Sequence, residues 1–347
     1  MRYSHLLIIF FVVMGCLMLT AFFNTNVSTK ATEENDKYSS YLTTATKDAI
    51  NSTLKNIQDG CLFSEQENRQ LAVDTFYRTL VGCFNYDNTT SEELVKYYVP
   101  CIFLIDKNGY YIEYAETYTA SNGLEYFKDV ITPIHKWERE YSAANTTGDR
   151  YYIEYHLDNS IHVTKSDYLG NVSTYDGPFY EVYEELGSPD ILKNHFSDLE
   201  KFESEKNDCI INDLTNKMTY YINIHDEFYN QKNDAQYQFT LPLVTDEDWA
   251  RLIDQPTVFS FLQGLQPSYY DYYINIYALA SGELTDNLNY IITENETDLY
   301  YHRENCSSLS SSTDNSETID SIMNTNKTYS MEECAAKGAY PCPECIR

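Results

Sequence analysis

Apolar residues form one unbroken block near the start of the chain and periodic patterns after it. Residues 6–23 (LLIIFFVVMGCLMLTAFF) carry no charge. Those 18 residues make about 27 Å of helix, enough to cross a hydrocarbon core of ~30 Å. Further on, Tyr38, Tyr41, Leu42, Ala45, Ala49, Ile50, Leu54 and Ile57 recur at helical spacing that Gly60 ends. Leu71, Val73, Phe76, Tyr77, Leu80 and Val81 repeat that spacing over residues 65–84. The polar stretch 24–36 predicts a short stalk.

Residues 99–105, then Asp106-Lys107-Asn108-Gly109, then residues 110–114 predict a β-hairpin. A second hairpin is predicted from 151–157, the turn Asp158-Asn159-Ser160, and 161–163. Residues 189–228 read as mostly helical, and 238–241 as a strand ending at Pro242. Asp246-Glu247-Asp248 then opens a helix through Trp249 and Leu252, and 272–280 are β-rich. Helix pairs mixed with antiparallel hairpins define an α+β fold class and exclude a parallel βαβ sheet. The Ser- and Asn-rich stretch 307–328 predicts a loop.

Charge fixes the setting. The 347 residues hold 24 Lys and Arg against 53 Asp and Glu, a formal net charge of −29. So acidic a surface repels phosphate backbones, which excludes nucleic acid as a partner. Arg2 and the α-amino group precede the apolar block, so the amino end is expected in the cytoplasm and the bulk of the chain outside. The flank Asn24-Thr25-Asn26-Val27-Ser28 lacks a small-x-small cleavage site, leaving a cleaved signal peptide as the alternative to a retained anchor. Met14 stands where a lipoprotein signal before Cys16 would need a small residue, and no Glu follows Gly15 until Glu33, unlike a prepilin. The expectation is a single-pass protein of the cell membrane with envelope protein partners.

The 34 Tyr include pairs such as Tyr97-Tyr98, Tyr110-Tyr111, Tyr151-Tyr152 and Tyr220-Tyr221. On a strand, each pair puts one ring inward and one outward, and half-exposed rings suit contact surfaces.

Metal chemistry is concentrated at the end of the chain. His302 and Cys306 form an H-x3-C element, and after 35 residues Cys342 and Cys345 form C-x2-C. Two thiolates at that spacing can be aimed at one ion by a tight turn, with His302 and Cys306 supplying the other corners of a tetrahedral Zn2+ site. Disulfides among Cys306, Cys334, Cys342 and Cys345 are the alternative outside the membrane. Zinc would supply folding energy that so small a module lacks in its own core.

Tyr301-His302-Arg303-Glu304-Asn305-Cys306, then Glu332 to Tyr340 and Pro341-Cys342-Pro343-Glu344-Cys345, resemble the small metal-binding domain of the Ada DNA-repair family. The likeness covers about residues 299–347 and implies zinc held by His302, Cys306, Cys342 and Cys345. In that family the first ligand is a Cys that accepts a methyl group. His302 stands in its place here, so the methyl chemistry does not carry over, and the basic DNA-facing surface is missing. Cys334 falls where the family has a small residue. The body, through residues 99–111 and 239–264, resembles clostridial membrane-anchored proteins that accompany Tad-type pilus or type II secretion-like machinery. That likeness implies an assembly or accessory role in the envelope.

Within the body, Cys61 and Cys83 are candidates for a bridge between the first two helices, Cys101 and Cys209 for buried thiols. His156 and His162 flank the second turn, where a two-residue loop sends them to opposite faces and a three-residue loop, 158–160, to the same one. No G-x-S-x-G, H-E-x-x-H, P-loop or dinucleotide fingerprint occurs, and with 53 acidic residues no carboxylate pair stands out as catalytic. No catalytic residue is assigned. The expected organisation is a tip at 1–5, a transmembrane anchor at 6–23, stalk and membrane-proximal helix at 24–60, an α+β body at 61–290 and a zinc module at 291–347. A ligand-binding sensor and a carboxylate surface hydrolase are the alternative functions. A closed apolar pocket would favour the sensor, a deep pocket with two close carboxylates the hydrolase, and a broad tyrosine-rich face the assembly role.

Overall fold

The computed structural model describes residues 2–54, 61–84, 94–119, 121, 125–142, 148–233, 238–266, 273–282, 290–295, 298–303 and 340–341, without most side chains of 2–28. Two compact units are separated, Met1–Gly282 and Glu283–Arg347.

The first unit opens with α1, a continuous helix over Arg2–Thr53. The expected stalk is therefore helical. A polar stretch flanked by helix on both sides extends at no nucleation cost, and the Glu34–Lys37 ion pair supports it at 3.7 Å. Leu42, Ala45, Ala49 and Ile50 are buried along one face, as their spacing requires. The described helix runs to Thr53, and residues 55–60, where the spacing was expected to end at Gly60, lie outside the described residues. Among the described residues no helix is long and apolar enough to cross a membrane; most side chains of the expected anchor, residues 6–23, lie outside them.

After α2 (Gln66–Cys83) come β1 (Ile102–Asp106) and β2 (Gly109–Thr119), joined by the predicted tight turn. Gly109 is obligatory there. Its φ is +143°, and a Cβ would lie 2.2 Å from the carbonyl oxygen of His135. Then follow β3 (Glu125–Ile131), β4 (Trp137–Ser142), β5 (Arg150–Tyr155), β6 (Ser160–Ser166) and β7 (Val172–Pro178). Helices α3 (Phe179–Glu185), α4 (Lys193–Phe196) and α5 (Leu199–Asn233) precede α6 (Asp246–Asp254), β8 (Thr257–Gln263) and β9 (Asn275–Ser281). Thr245 caps α6, accepting from the Asp248 N–H at 3.2 Å, with the three acidic residues in the first turn.

Two antiparallel sheets result. One has the order β3-β2-β1-β8-β9, the other the meander β4-β5-β6-β7. The α+β class is borne out. One face of the five-stranded sheet, through Ile102, Leu104, Val258 and Leu262, packs on α1 and α2. The other face, through Phe103, Ile105, Phe259 and Phe261, meets α5 and the four-stranded sheet. Strands β1 and β8 are thus buried on both sides. This is why Tyr110 and Tyr111 are both buried, against the expectation of one ring out, whereas Tyr151 and Tyr152 on the half-covered β5 divide as expected.

The stretch 238–241 is not a strand. Side chains hold it instead: the Phe239 N–H donates to Asp226 at 2.9 Å, and the Thr240 carbonyl accepts from Asn275 at 3.1 Å. In the second unit, β10 (Tyr290–Asn295) and β11 (Asp298–Arg303) form an antiparallel hairpin, and β12 (Tyr340–Pro341) adds in parallel to β11. Residues 307–328 lie outside the described residues.

Candidate functional site

Of the four expected zinc ligands, His302 is described, while Cys306, Cys342 and Cys345 lie outside the described residues, as does Cys334. His302 sits on β11 and is buried, 6% exposed. Its Nε2 is hydrogen-bonded to Thr293 Oγ1 of β10 at 2.8 Å, which fixes the ring from the neighbouring strand. The β11–β12 register sets Tyr300 beside Tyr340 and Tyr301 beside Pro341. His302 follows Tyr301 in sequence, and Cys342 follows Pro341. An imidazole is a residue type that a zinc donor set uses, and this one is buried and tethered to the neighbouring strand. Among the described residues no group of three or more His, Cys, Asp or Glu is gathered to hold a metal.

The body has a cleft of about 340 Å³ between the segment before β1, the middle of β2 and the second half of α5. Lys96 and Pro100 line it from the first, Tyr114 and Glu116 from the second, Tyr220, Tyr221, His225 and Glu227 from the third. Tyr114 and Tyr221 rings lie 4.8 Å apart at 57°, and Tyr220 meets Tyr221 edge-on at 5.2 Å. Tyr220 is 57% exposed and Tyr221 buried. The His225 Nε2–H donates to the Tyr97 carbonyl at 2.9 Å. Burial lowers its pKa to about 4, so the imidazole is neutral at pH 7. Lys96 Nζ is bonded to Asp129 at 2.6 Å and lies 4.9 Å from the Tyr77 ring centre.

Beneath β2, Glu113 is 1% exposed and accepts from the Tyr77 hydroxyl at 3.0 Å. Burial first and the Asp129 charge second raise its pKa to about 8, against smaller opposition from Tyr77 and Lys96. It is neutral at pH 7. A second polar centre surrounds Glu205 of α5, which receives Arg139, Tyr141 at 2.7 Å and His195 at 2.8 Å. Burial opposes ionisation there, but the Tyr141 and Arg139 bonds outweigh it and hold the carboxyl below its usual range. Each of its donors is spent on the fold.

The remaining candidates are dispersed. His156 is bonded to Ser160 at 2.8 Å and His162 to Asp176 at 2.5 Å, so each imidazole has its own structural partner. The hairpin loop is 157–159, one residue earlier than expected, with Asn159 at φ +62°. No disulfide joins Cys61 to Cys83, and Cys101 and Cys209 are buried thiols whose burial raises their pKa. Asp248 accepts from the Tyr277 hydroxyl at 2.7 Å, a packing role. The cleft was not evident from sequence, because its lining comes from three distant segments; the Tyr220-Tyr221 pair was its one visible mark.

Comparison with family models, with curated proteins and with solved structures finds no match to this chain.

Proposed function

We propose that the chain is a single-pass membrane-anchored, extracytoplasmic protein whose body binds envelope partners and whose C-terminal module is held by a structural zinc ion. The observation that carries this reading is α1: one helix of 52 residues runs from the apolar block into the core of the body. At 1.5 Å per residue it is about 78 Å long. Residues 6–23 would lie in the bilayer, and the helical stretch 24–37 would hold the body roughly 20 Å from it. Such a connection positions a body without letting it swivel, which suits an accessory or assembly factor of a pilus- or secretion-like surface system.

The zinc part rests on the donor set His302, Cys306, Cys342 and Cys345 and on the tethered, buried His302 beside the strand that leads to Cys342. Zinc bound there would be structural, closing the module with no open position for chemistry. The sensor reading retains one support, the cleft. It is open and mixed in character, unlike the closed apolar pocket a sensor would need and the deep carboxylate pocket a hydrolase would need.

One preparation tests both parts. The full chain is expected to stay with membranes through an alkaline wash, to be digested by protease added outside the cell, and to carry about one equivalent of zinc when purified in detergent under reducing conditions. Recovery in the soluble cytosol would overturn the anchor. Less than half an equivalent, with the cysteines paired, would overturn the metal site in favour of disulfides.

A further inference from the structure

We propose that the cleft between β2 and α5 binds an organic cation, an ammonium or guanidinium group carried on a short apolar stem. The inference is independent of the anchor and of the zinc site. Its volume of about 340 Å³ is at the small end of ligand pockets, roughly 300–1,000 Å³, and matches one side chain or a compact amine.

The selectivity follows from the lining. Tyr114 and the exposed Tyr220 bring aromatic rings to the lining, and a ring's quadrupole attracts cations. Tyr221, buried between them, fixes both rings by contact at 4.8 and 5.2 Å. Glu116 and Glu227 add two carboxylates, and neither is in an ion pair among the described residues, although Lys128 stands opposite Glu116 in the strand register. The positive group in the lining, Lys96, is paired with Asp129 at 2.6 Å. His225 is bonded to the Tyr97 carbonyl, and its burial disfavours the charged imidazolium. The cleft therefore brings two carboxylates and aromatic rings together against one lysine that is already paired, inside a chain of net charge −29 that draws cations to it.

The test is isothermal titration of the full chain in detergent with three probes: N-acetyl-arginine methylamide, tetramethylammonium and N-acetyl-citrulline methylamide, the neutral counterpart of the first. At least one cation is expected to bind saturably, about tenfold or more tighter than citrulline. Preference for the arginine derivative assigns a basic side chain of a partner protein; preference for tetramethylammonium assigns a free amine. The double variant Glu116→Gln/Glu227→Gln and the single variant Tyr220→Ala change exposed positions, so the fold is retained, and each is expected to weaken cation binding about tenfold. Citrulline binding as tightly as the better of the two cations, absence of saturable binding by both cations, or unchanged affinity in both variants would overturn the proposal.

Discussion

Glu113 is a buried carboxyl held well above its ordinary range. Its carboxyl is raised from 4.5 to about 8 in the fold, chiefly by burial and then by Asp129. A carboxyl raised on folding makes the native state the better proton binder, so the stability it supports is complete below pH 4.5 and is lost as pH climbs towards 8. At ~1.4 kcal/mol per pH unit, the loss across that window is on the order of 4–5 kcal/mol. Glu113→Gln keeps an acceptor for the Tyr77 hydroxyl and removes the titration. We expect the variant to match the parent near pH 5 and to exceed it by about 2 kcal/mol or more at pH 9, measured by urea unfolding at both values. A constant difference between the two pH values would refute the assignment. The sequence showed Glu113 only as one acid among 53. Its state depends on α2 crossing β2, a long-range contact that no local pattern encodes.

Between elements, Asp106 makes the decisive tie. It closes the β1–β2 turn through the Lys107 N–H at 2.9 Å, and it also accepts from the Leu62 N–H at 3.0 Å and the Phe63 N–H at 2.8 Å. One buried carboxylate thus joins the entry to α2 to the central hairpin. Removing it strands buried donors, each costing ~1–3 kcal/mol. Asp106→Ala is expected to lower stability by about 3–5 kcal/mol and Asp106→Asn by less, because the amide keeps one oxygen. Equal losses in thermal or urea unfolding would show that the charge, not the bonds, matters.

What was legible at this scale follows the rule of local cues. The β1–β2 hairpin could be read because Asp-Lys-Asn-Gly marks its turn, and α5 because Phe202, Ile210, Leu214, Met218 and Tyr221 keep the helical period. Strand β8, Thr257–Gln263, is buried throughout and shows no alternation, so pattern alone passes over it. The stretch 238–241 has strand-like composition but no backbone partner, since Asp226 and Asn275 answer its polar groups. Of the expected zinc ligands, only His302 falls among the described residues, where its bond to Thr293 adds a supporting contact that the spacing did not foretell. The cleft, assembled from three separate segments, had no motif to betray it.

Taken whole, the chain is a folded polyanion. A formal charge of −29 is spread over 347 residues, and among the described residues carboxylates such as Glu116 and Glu227 are exposed and in no ion pair. Mutual repulsion loads the native state, and salt relieves it as the screening length shrinks from ~10 Å at 0.1 M to ~3 Å at 1 M. The melting temperature of the full chain in detergent is expected to rise by several degrees between 0.02 and 0.5 M NaCl, on the order of 1 kcal/mol or more. A fall with added salt would mean that the surface ion pairs, such as Lys107–Asp158 at 2.6 Å, outweigh the repulsion.

The continuity of α1 carries one geometric corollary. A helix turns about 100° per residue, so the sequence between the apolar block and Leu42 sets an azimuth as well as a height. With residues 6–23 held in a bilayer, adding one residue near position 30 would lift the body by only ~1.5 Å yet rotate its cleft by more than a quarter circle. Adding seven would return it close to its first bearing. Were residues 6–23 to span a bilayer as proposed, spacer length would work as a compass setting, and any change other than whole turns would turn the body toward a different neighbour.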